Sequence, residues 1–151
     1  MKALLVVMVA GTIVTAEAWA HGSEVPGNDT ILRTCSPVAR YKALNVTRYQ
    51  PACVISLRHP IEGIVECALR DATLLKIAQP DVEVPDIKDE IDRLAAEGES
   101  PVIRYKASLA RQVYENPKWF APLAQADFFT AEEAFAAVAH QLERTLLAAR
   151  Q

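Results

Sequence analysis

The stretch HPIEGIVECALRDATLLKIAQP, residues 59–80, decides the fold of this 151-residue chain. Its apolar side chains recur at helical spacing and fall on one face, at Ile61, Ile64, Val65, Ala68, Leu69, Ala72 and Leu75. Leu74 and Ile77 widen that face, which indicates a helix covered on more than one side. The pattern therefore predicts a central helix from Ile61 to about Ala78.

Proline marks the start of several other helices, because its missing N–H would have no partner in the first turn. Ser36-Pro37 predicts a helix to about Tyr49, after which Pro51 restarts or kinks the chain into a short segment at 52–58. His59-Pro60 then predicts a tight break before the central helix.

The second half of the chain carries the same kind of signals. The helix starts are Pro85, Ser100-Pro101 and a capping box of Thr130 with Glu133. The last of these helices carries one apolar stripe, formed by Phe135, Val138, Leu142, Thr145, Leu146 and Ala149. Gly98 stands at the C′ position of the first of these helices, and residues 118–127 predict one turn that lays aromatic side chains on the core. Since no stretch alternates polar and apolar residues, we predict an all-α fold of five to six antiparallel helices and no strands.

The N-terminus indicates export. A lysine, an apolar run of about a dozen residues and the small residues Ala18 and Ala20 are typical of a signal peptide, and the run is shorter than the roughly 20 residues of a membrane span. We expect residues 1–20 to be removed after Ala20, with a cut after Ala18 as the alternative. Residues 21–33 then form a flexible leader and residues 34–151 a single helical domain, secreted or periplasmic and without a membrane anchor.

An internal echo joins two of the predicted helix starts. SPVARYKAL at residues 36–44 matches SPVIRYKAS at residues 100–108 at seven of nine positions. Coincidence between two well-capped helix starts is one interpretation, and a helical repeat is the other.

Residues 100–110, SPVIRYKASLA, resemble the start of the inner helix of HEAT-like repeats. In those repeats a small polar residue and a proline or acid precede Val, Arg, Ala and a large aliphatic residue. Residues 60–72 resemble a degenerate second copy, although Gly63 and Glu66 stand where such a helix has arginine. The resemblance implies stacked antiparallel helix pairs, so a short HEAT-like superhelix is the alternative to an irregular bundle.

Three cysteines follow the predicted signal peptide, and an oxidising compartment would allow one disulfide. Cys53 and Cys67 lie seven residues on either side of Pro60, and a fold-back at that proline would bring them face to face. We expect this bridge first, with Cys35 as the alternative partner of either residue and three buried thiols as the remaining possibility.

The sequence carries weak candidates for reactive chemistry. The mature N-terminal His21 could chelate copper through its amino group and imidazole, but such a site needs a second histidine on a rigid scaffold. His59 and His140 each precede a glutamate by three residues, which is the reverse of the order found in di-iron bundles. Glu62 and Glu66 share a helix face, as carboxylates commonly do on a surface helix. We therefore predict no catalytic residues, no metal site and no cofactor.

Four side chains remain as candidates for a partner-binding surface, because tyrosine and arginine dominate interface hot spots. They are Arg40, Tyr41, Arg104 and Tyr105. The alternative places the tyrosines in the core and pairs Arg104 with Glu66 or Asp92. The net charge of −3 argues against a nucleic-acid partner.

These features favour an exported, non-enzymatic helical protein that binds another protein. One form is a periplasmic immunity or inhibitor protein that blocks a toxin or hydrolase. A small-ligand or metal carrier that uses His21 is the second class, and a hydrolase with an unfamiliar site is the third.

Overall fold

The computed structural model describes residues 37–150, which fold into six α-helices and one 3-10 helix. In chain order they are α1 (Pro37–Lys42), α2 (Val46–Leu57), α3 (Glu62–Ala78), α4 (Pro85–Glu97), α5 (Pro101–Glu115), the 3-10 helix η1 (Pro117–Gln125) and α6 (Ala131–Ala148). No strand occurs within residues 37–150, so the predicted all-α class is confirmed there. The predicted signal peptide, the leader with His21, and Cys35 lie outside the described residues.

Helix α3 lies at the centre of the bundle, as the apolar pattern of residues 59–80 predicts. It packs against α1, α2, α5, α6 and η1. All side chains of residues 72–77 are buried, because neighbouring helices cover more than one face of its last turns. The first turn differs from the prediction, since Ile61 and Ile64 are 58% and 37% exposed. Burial of the predicted face begins at Val65.

The predicted helix from Pro37 to about Tyr49 is wrong, because the structure divides it into α1 and α2 at residues 43–45. Asn45 is the cause: its Oδ1 accepts a hydrogen bond from the Arg48 amide at 3.2 Å and so starts a new helix. Pro51 neither restarts nor ends that helix. It lies exposed within α2, which continues to Leu57.

Helices α4 and α5 form a tight hairpin with the most extensive contact between any two described elements. Ser100 caps α5 as predicted, with its Oγ accepting from the Ile103 amide at 3.1 Å. Gly98 follows the end of α4 as predicted, but close packing rather than backbone conformation accounts for the glycine. Its φ of −54° is open to any residue, but a Cβ there would lie 2.6 Å from the Leu94 carbonyl oxygen and 2.9 Å from Ile103 Cγ2.

The chain covers the bundle with η1 and α6. The predicted single turn extends over residues 117–125 and buries Phe120 completely, while Trp119 stays 37% exposed. The predicted capping box is confirmed: the Glu133 amide donates to Thr130 Oγ1 at 3.1 Å, and Glu133 accepts from the Thr130 amide at 3.4 Å.

Two buried charged side chains tie these elements together. Glu90 on α4 binds Arg58 at the end of α2, with Nε and Oε2 2.9 Å apart, and also binds Arg93. Lys106 on α5 binds Glu66 on α3 at 3.0 Å and Glu132 on α6 at 3.1 Å. A buried charge requires such partners, because an unpaired one would shift its pKa or destabilise the fold.

The two copies of the sequence echo have different surroundings. Val38 is completely buried, whereas its counterpart Val102 is 47% exposed. Helix α1 ends at Lys42, whereas α5 continues to Glu115. The echo therefore marks two helix starts that occupy unlike positions in the fold.

Among the described helices, none combines the length and the hydropathy that crossing a bilayer requires.

Candidate protein-binding groove

Helix α6 is longer than the core that it covers. Its buried side chains are Ala131, Ala134, Phe135 and Val138, and none is buried beyond that point. The predicted apolar stripe nevertheless continues for three more turns through Leu142 and Leu146. Leu142 is still half-buried against the core, whereas the last turns of α6 present apolar side chains, Leu146 and Leu147, that the described residues leave exposed.

This face and the neighbouring surface of α5 form an open groove of about 370 Å³. Its lining consists of Tyr105 and Leu109 from α5, with Ala139, Leu142, Glu143, Leu146, Leu147 and Arg150 from α6 and its C-terminal turn. Tyr105 is 58% exposed, Leu146 46% and Leu147 53%. Contiguous exposed apolar side chains are typical of a surface that another molecule covers.

Lys106 explains why its neighbour Tyr105 points outward. Burial alone would lower the pKa of Lys106, but the hydrogen bonds with Glu66 and Glu132 raise it above its ordinary value, so the ammonium is charged. The Lys106 ammonium also lies 6.0 Å from the ring centre of Phe135. Because these contacts fix Lys106 on the inner side of α5, the adjacent residue Tyr105 lies on the outer side, at the groove.

The groove contains one acid and one base. Glu143 lies on α6 and Arg150 in the turn that follows it. Neither has an ion-pair partner within residues 37–150. Both charges are therefore available to a molecule that enters the groove.

The four side chains predicted as a partner surface do not lie together. Tyr105 lines the groove and Arg40 is exposed on α1. Tyr41 is half-buried against the core, and burial, then the charge of Asp71, raises its pKa. Arg104 is half-buried and donates from Nη1 to the Gly98 carbonyl at 2.6 Å. Of the four, the structure places Tyr105 at the groove, and a partner-binding role for the others stays a prediction.

The alternative predicted for Arg104 is also wrong. Glu66 binds Lys106 rather than Arg104, and Asp92 binds Lys88 at 2.6 Å. Helix geometry explains why Lys106 rather than Arg104 binds Glu66. Residues 104 and 106 differ by two positions and so point to different sides of α5.

The structure gives no support to a disulfide between Cys53 and Cys67, because both are free thiols. They line one shallow groove between α2 and α3, but Cys53 is buried and Cys67 is exposed. Burial raises the pKa of Cys53 to about 11, although a hydrogen bond with Tyr49 acts in the opposite direction. The alternative partner Cys35 lies outside the described residues.

A second cavity, of about 240 Å³, lies at the end of the bundle where the α2–α3 and α4–α5 turns meet. Its polar walls include Arg58, His59, Glu62, Arg93 and Ser100. These groups already have partners. Both arginines bind Glu90, Ser100 Oγ donates to Glu62, and His59 Nδ1 accepts from the Ile61 amide at 3.1 Å. The contacts join the two turns to each other.

The histidines and glutamates considered as candidate reactive residues do not form one site. His59 lies in the α2–α3 turn, and His140 is exposed on α6. The carboxylates of Glu62 and Glu66 do not act as a pair, because Glu62 accepts a hydrogen bond from Ser100 and Glu66 binds Lys106. Among residues 37–150, no three histidine, cysteine or carboxylate side chains gather into a possible metal site.

Comparisons of the chain with protein-family models, with curated proteins and with solved structures find no match. The HEAT-like resemblance of residues 100–110 therefore stays a prediction.

Sequence reasoning missed most of the groove. Leu142 and Leu146 were expected in the core stripe of the last helix, and Glu143, Leu147 and Arg150 were not singled out. One signal could have found it: Glu143 and Arg150 place charges next to the apolar stripe in its last turns.

Proposed function

We propose that this protein is an exported, non-enzymatic helical module that binds another polypeptide chain through the α5–α6 groove. The observation that carries the proposal is the apolar stripe of α6, which continues past the last buried residue, Val138, into open solvent. Export rests on the signal-peptide pattern of residues 1–20.

The shape of the groove favours a helix as the bound element. Its long wall is a single helix face from Ala139 to Leu147, which spans about 12 Å at 1.5 Å per residue. An amphipathic helix that lays anchor residues at i, i+3 or i+4 and i+7 into an apolar groove is a common mode of recognition. Tyr105 adds a large amphipathic ring of the kind that dominates binding energy at interfaces.

Catalysis has no part in the proposal. The sequence contains no nucleophile in a recognisable catalytic motif. The polar groups around the cavity between the α2–α3 and α4–α5 turns form hydrogen bonds within those turns and between them. An immunity or inhibitor protein is one form of such a binding module, and the identity of the bound chain decides between forms.

Photo-cross-linking in cells that produce the full chain tests the groove directly. Tyr105→p-benzoylphenylalanine replaces one exposed aromatic ring with a reactive one, and we expect a discrete adduct. The same substitution at Phe129, which is 78% exposed and outside the groove, is the matched control and should give none.

A second variant tests whether formation of the adduct depends on the groove. Leu146→Asp, added to the Tyr105 variant, places a charge in the apolar wall and should remove the adduct. Ile55→Asp, at a 69% exposed position on α2, should leave it unchanged. The proposal fails if Tyr105 gives no adduct, or if the adduct survives Leu146→Asp.

A further inference from the structure

We infer that the occupant of the α5–α6 groove is a second copy of this chain, with its α6 antiparallel to the first about a two-fold axis near Leu146 and Leu147. The inference rests on the proposed docking function of the groove and names the partner. It follows from the order of charges along α6.

The first step is the position of two charged side chains, which flank the leucines of the groove. Glu143, on α6, and Arg150, in the turn that follows α6, both line the groove. Leu146 and Leu147 lie between them in the chain and line the same groove. The groove therefore carries an acid, two leucines and a base in a row along the chain.

The second step is the symmetry of this row. The midpoint between positions 143 and 150 falls between Leu146 and Leu147. A two-fold axis through that point places Glu143 of each copy opposite Arg150 of the other, and the leucines meet near the axis. A two-fold interface uses one patch twice and must be self-complementary, and an antiparallel pair of these faces meets that condition.

The third step excludes the parallel arrangement. Parallel helices in register would place Glu143 against Glu143 and Arg150 against Arg150, and like charges that face each other weaken an interface. The self-complementary order favours the second copy.

Sedimentation velocity of the full chain over a range of concentrations tests the inference. We expect the wild type to approach the mass of a dimer as concentration rises. Leu146→Asp places two carboxylates near the axis, so it should weaken association by about a hundredfold or more, while Ile55→Asp should leave it unchanged.

Charge exchange tests the antiparallel orientation. Glu143→Arg and Arg150→Glu each create two like-charge contacts, and each should weaken the dimer by about tenfold. The double variant restores both opposite-charge contacts only in the antiparallel arrangement, and should return to within about threefold of the wild type. Both substitutions are at exposed positions, so the fold is retained and is checked by circular dichroism.

The outcomes separate this inference from the proposed function. A wild type that stays monomeric, with a Tyr105 adduct that contains a different polypeptide, overturns the second copy and leaves the docking function standing. A monomer without any adduct at Tyr105 overturns both. A dimer that is insensitive to Leu146→Asp, or a double variant that is weaker than either single one, also overturns the inference.

Discussion

The two cysteines within residues 37–150 have different environments. Cys53 and Cys67 are on adjacent helices and line the same shallow groove, yet one is buried and the other exposed. The expected bridge depended on a fold-back of the chain at Pro60, and α2 and α3 do pack against each other. Spacing could not give the rotation of each helix about its own axis, which decides whether two side chains meet.

The two thiols should differ in reactivity. We expect iodoacetamide at pH 8 to alkylate Cys67 in the folded protein, and to alkylate Cys53 only after unfolding in urea. Cys53 is buried, and its pKa of about 11, against an ordinary 9.0, lowers its thiolate fraction by roughly a hundredfold. Mass spectrometry of the two peptides measures the rates.

Cys67→Ser is the control, because it should remove the fast reaction and leave the slow one. If Cys67 reacts only after a reducing agent is added, it is bonded to Cys53 or to Cys35, and the free-thiol description is wrong.

At the scale of elements, caps and packing decide where helices begin and end. Pro85, Ser100-Pro101 and the box of Thr130 with Glu133 mark helix starts in the structure as the sequence predicts. Asn45 was overlooked as a cap because the apolar pattern runs through it. Its side-chain hydrogen bond to the Arg48 amide outweighs that pattern and divides the first helix.

The α4–α5 hairpin should depend on Gly98 through packing rather than through backbone freedom. We expect Gly98→Ala to lower the free energy of unfolding by about 1–3 kcal/mol, because its Cβ would press on the Leu94 carbonyl oxygen and on Ile103. Urea unfolding followed by circular dichroism measures the change.

Gly63→Ala is the matched control for that substitution. A Cβ at Gly63 meets nothing within 4 Å, and alanine favours a helix, so we expect a gain of at most about 1 kcal/mol. Equal effects of the two substitutions would show that the close contact at Gly98 does not limit the hairpin.

For the whole molecule, the sequence predicts the class of fold and its centre, but little of the functional surface. The all-α class and the central place of α3 follow from periodicity and from the absence of alternating stretches. Periodicity marks a face as apolar without saying what covers it. Phe135 and Leu146 lie on one predicted stripe of α6, and only the length of the rest of the bundle decides that the first is core and the second is surface.

The pH dependence of global stability should reflect Glu90. Burial alone would raise the pKa of this carboxyl, but hydrogen bonds from Arg93 and Arg58 hold it below its ordinary value. A lowered folded-state pKa means that the stabilisation is complete above the unfolded-state pKa of about 4.3 and is lost as pH falls through the folded-state pKa.

Glu90→Gln should therefore lower the free energy of unfolding by about 1–3 kcal/mol at pH 7, and by progressively less below about pH 4. Urea unfolding of both proteins at pH 7, 5 and 3.5 measures the difference. Glu83→Gln, at an exposed position in the α3–α4 loop, removes the same charge and should show little change. A Glu90→Gln effect that is constant with pH would contradict the role of the charged carboxylate.

The central place of α3 has a consequence for synthesis. Its last covers, η1 and α6, are encoded some 40 to 70 residues after it, so its buried face is completed only when the C-terminal part of the chain has emerged. At roughly 5–20 residues per second, the apolar face of the nascent α3 stays incompletely covered for several seconds. During that interval we expect the unfinished chain to bind holdase chaperones. A chain released by a ribosome that stalls before residue 131 lacks α6, and we expect proteases to degrade it.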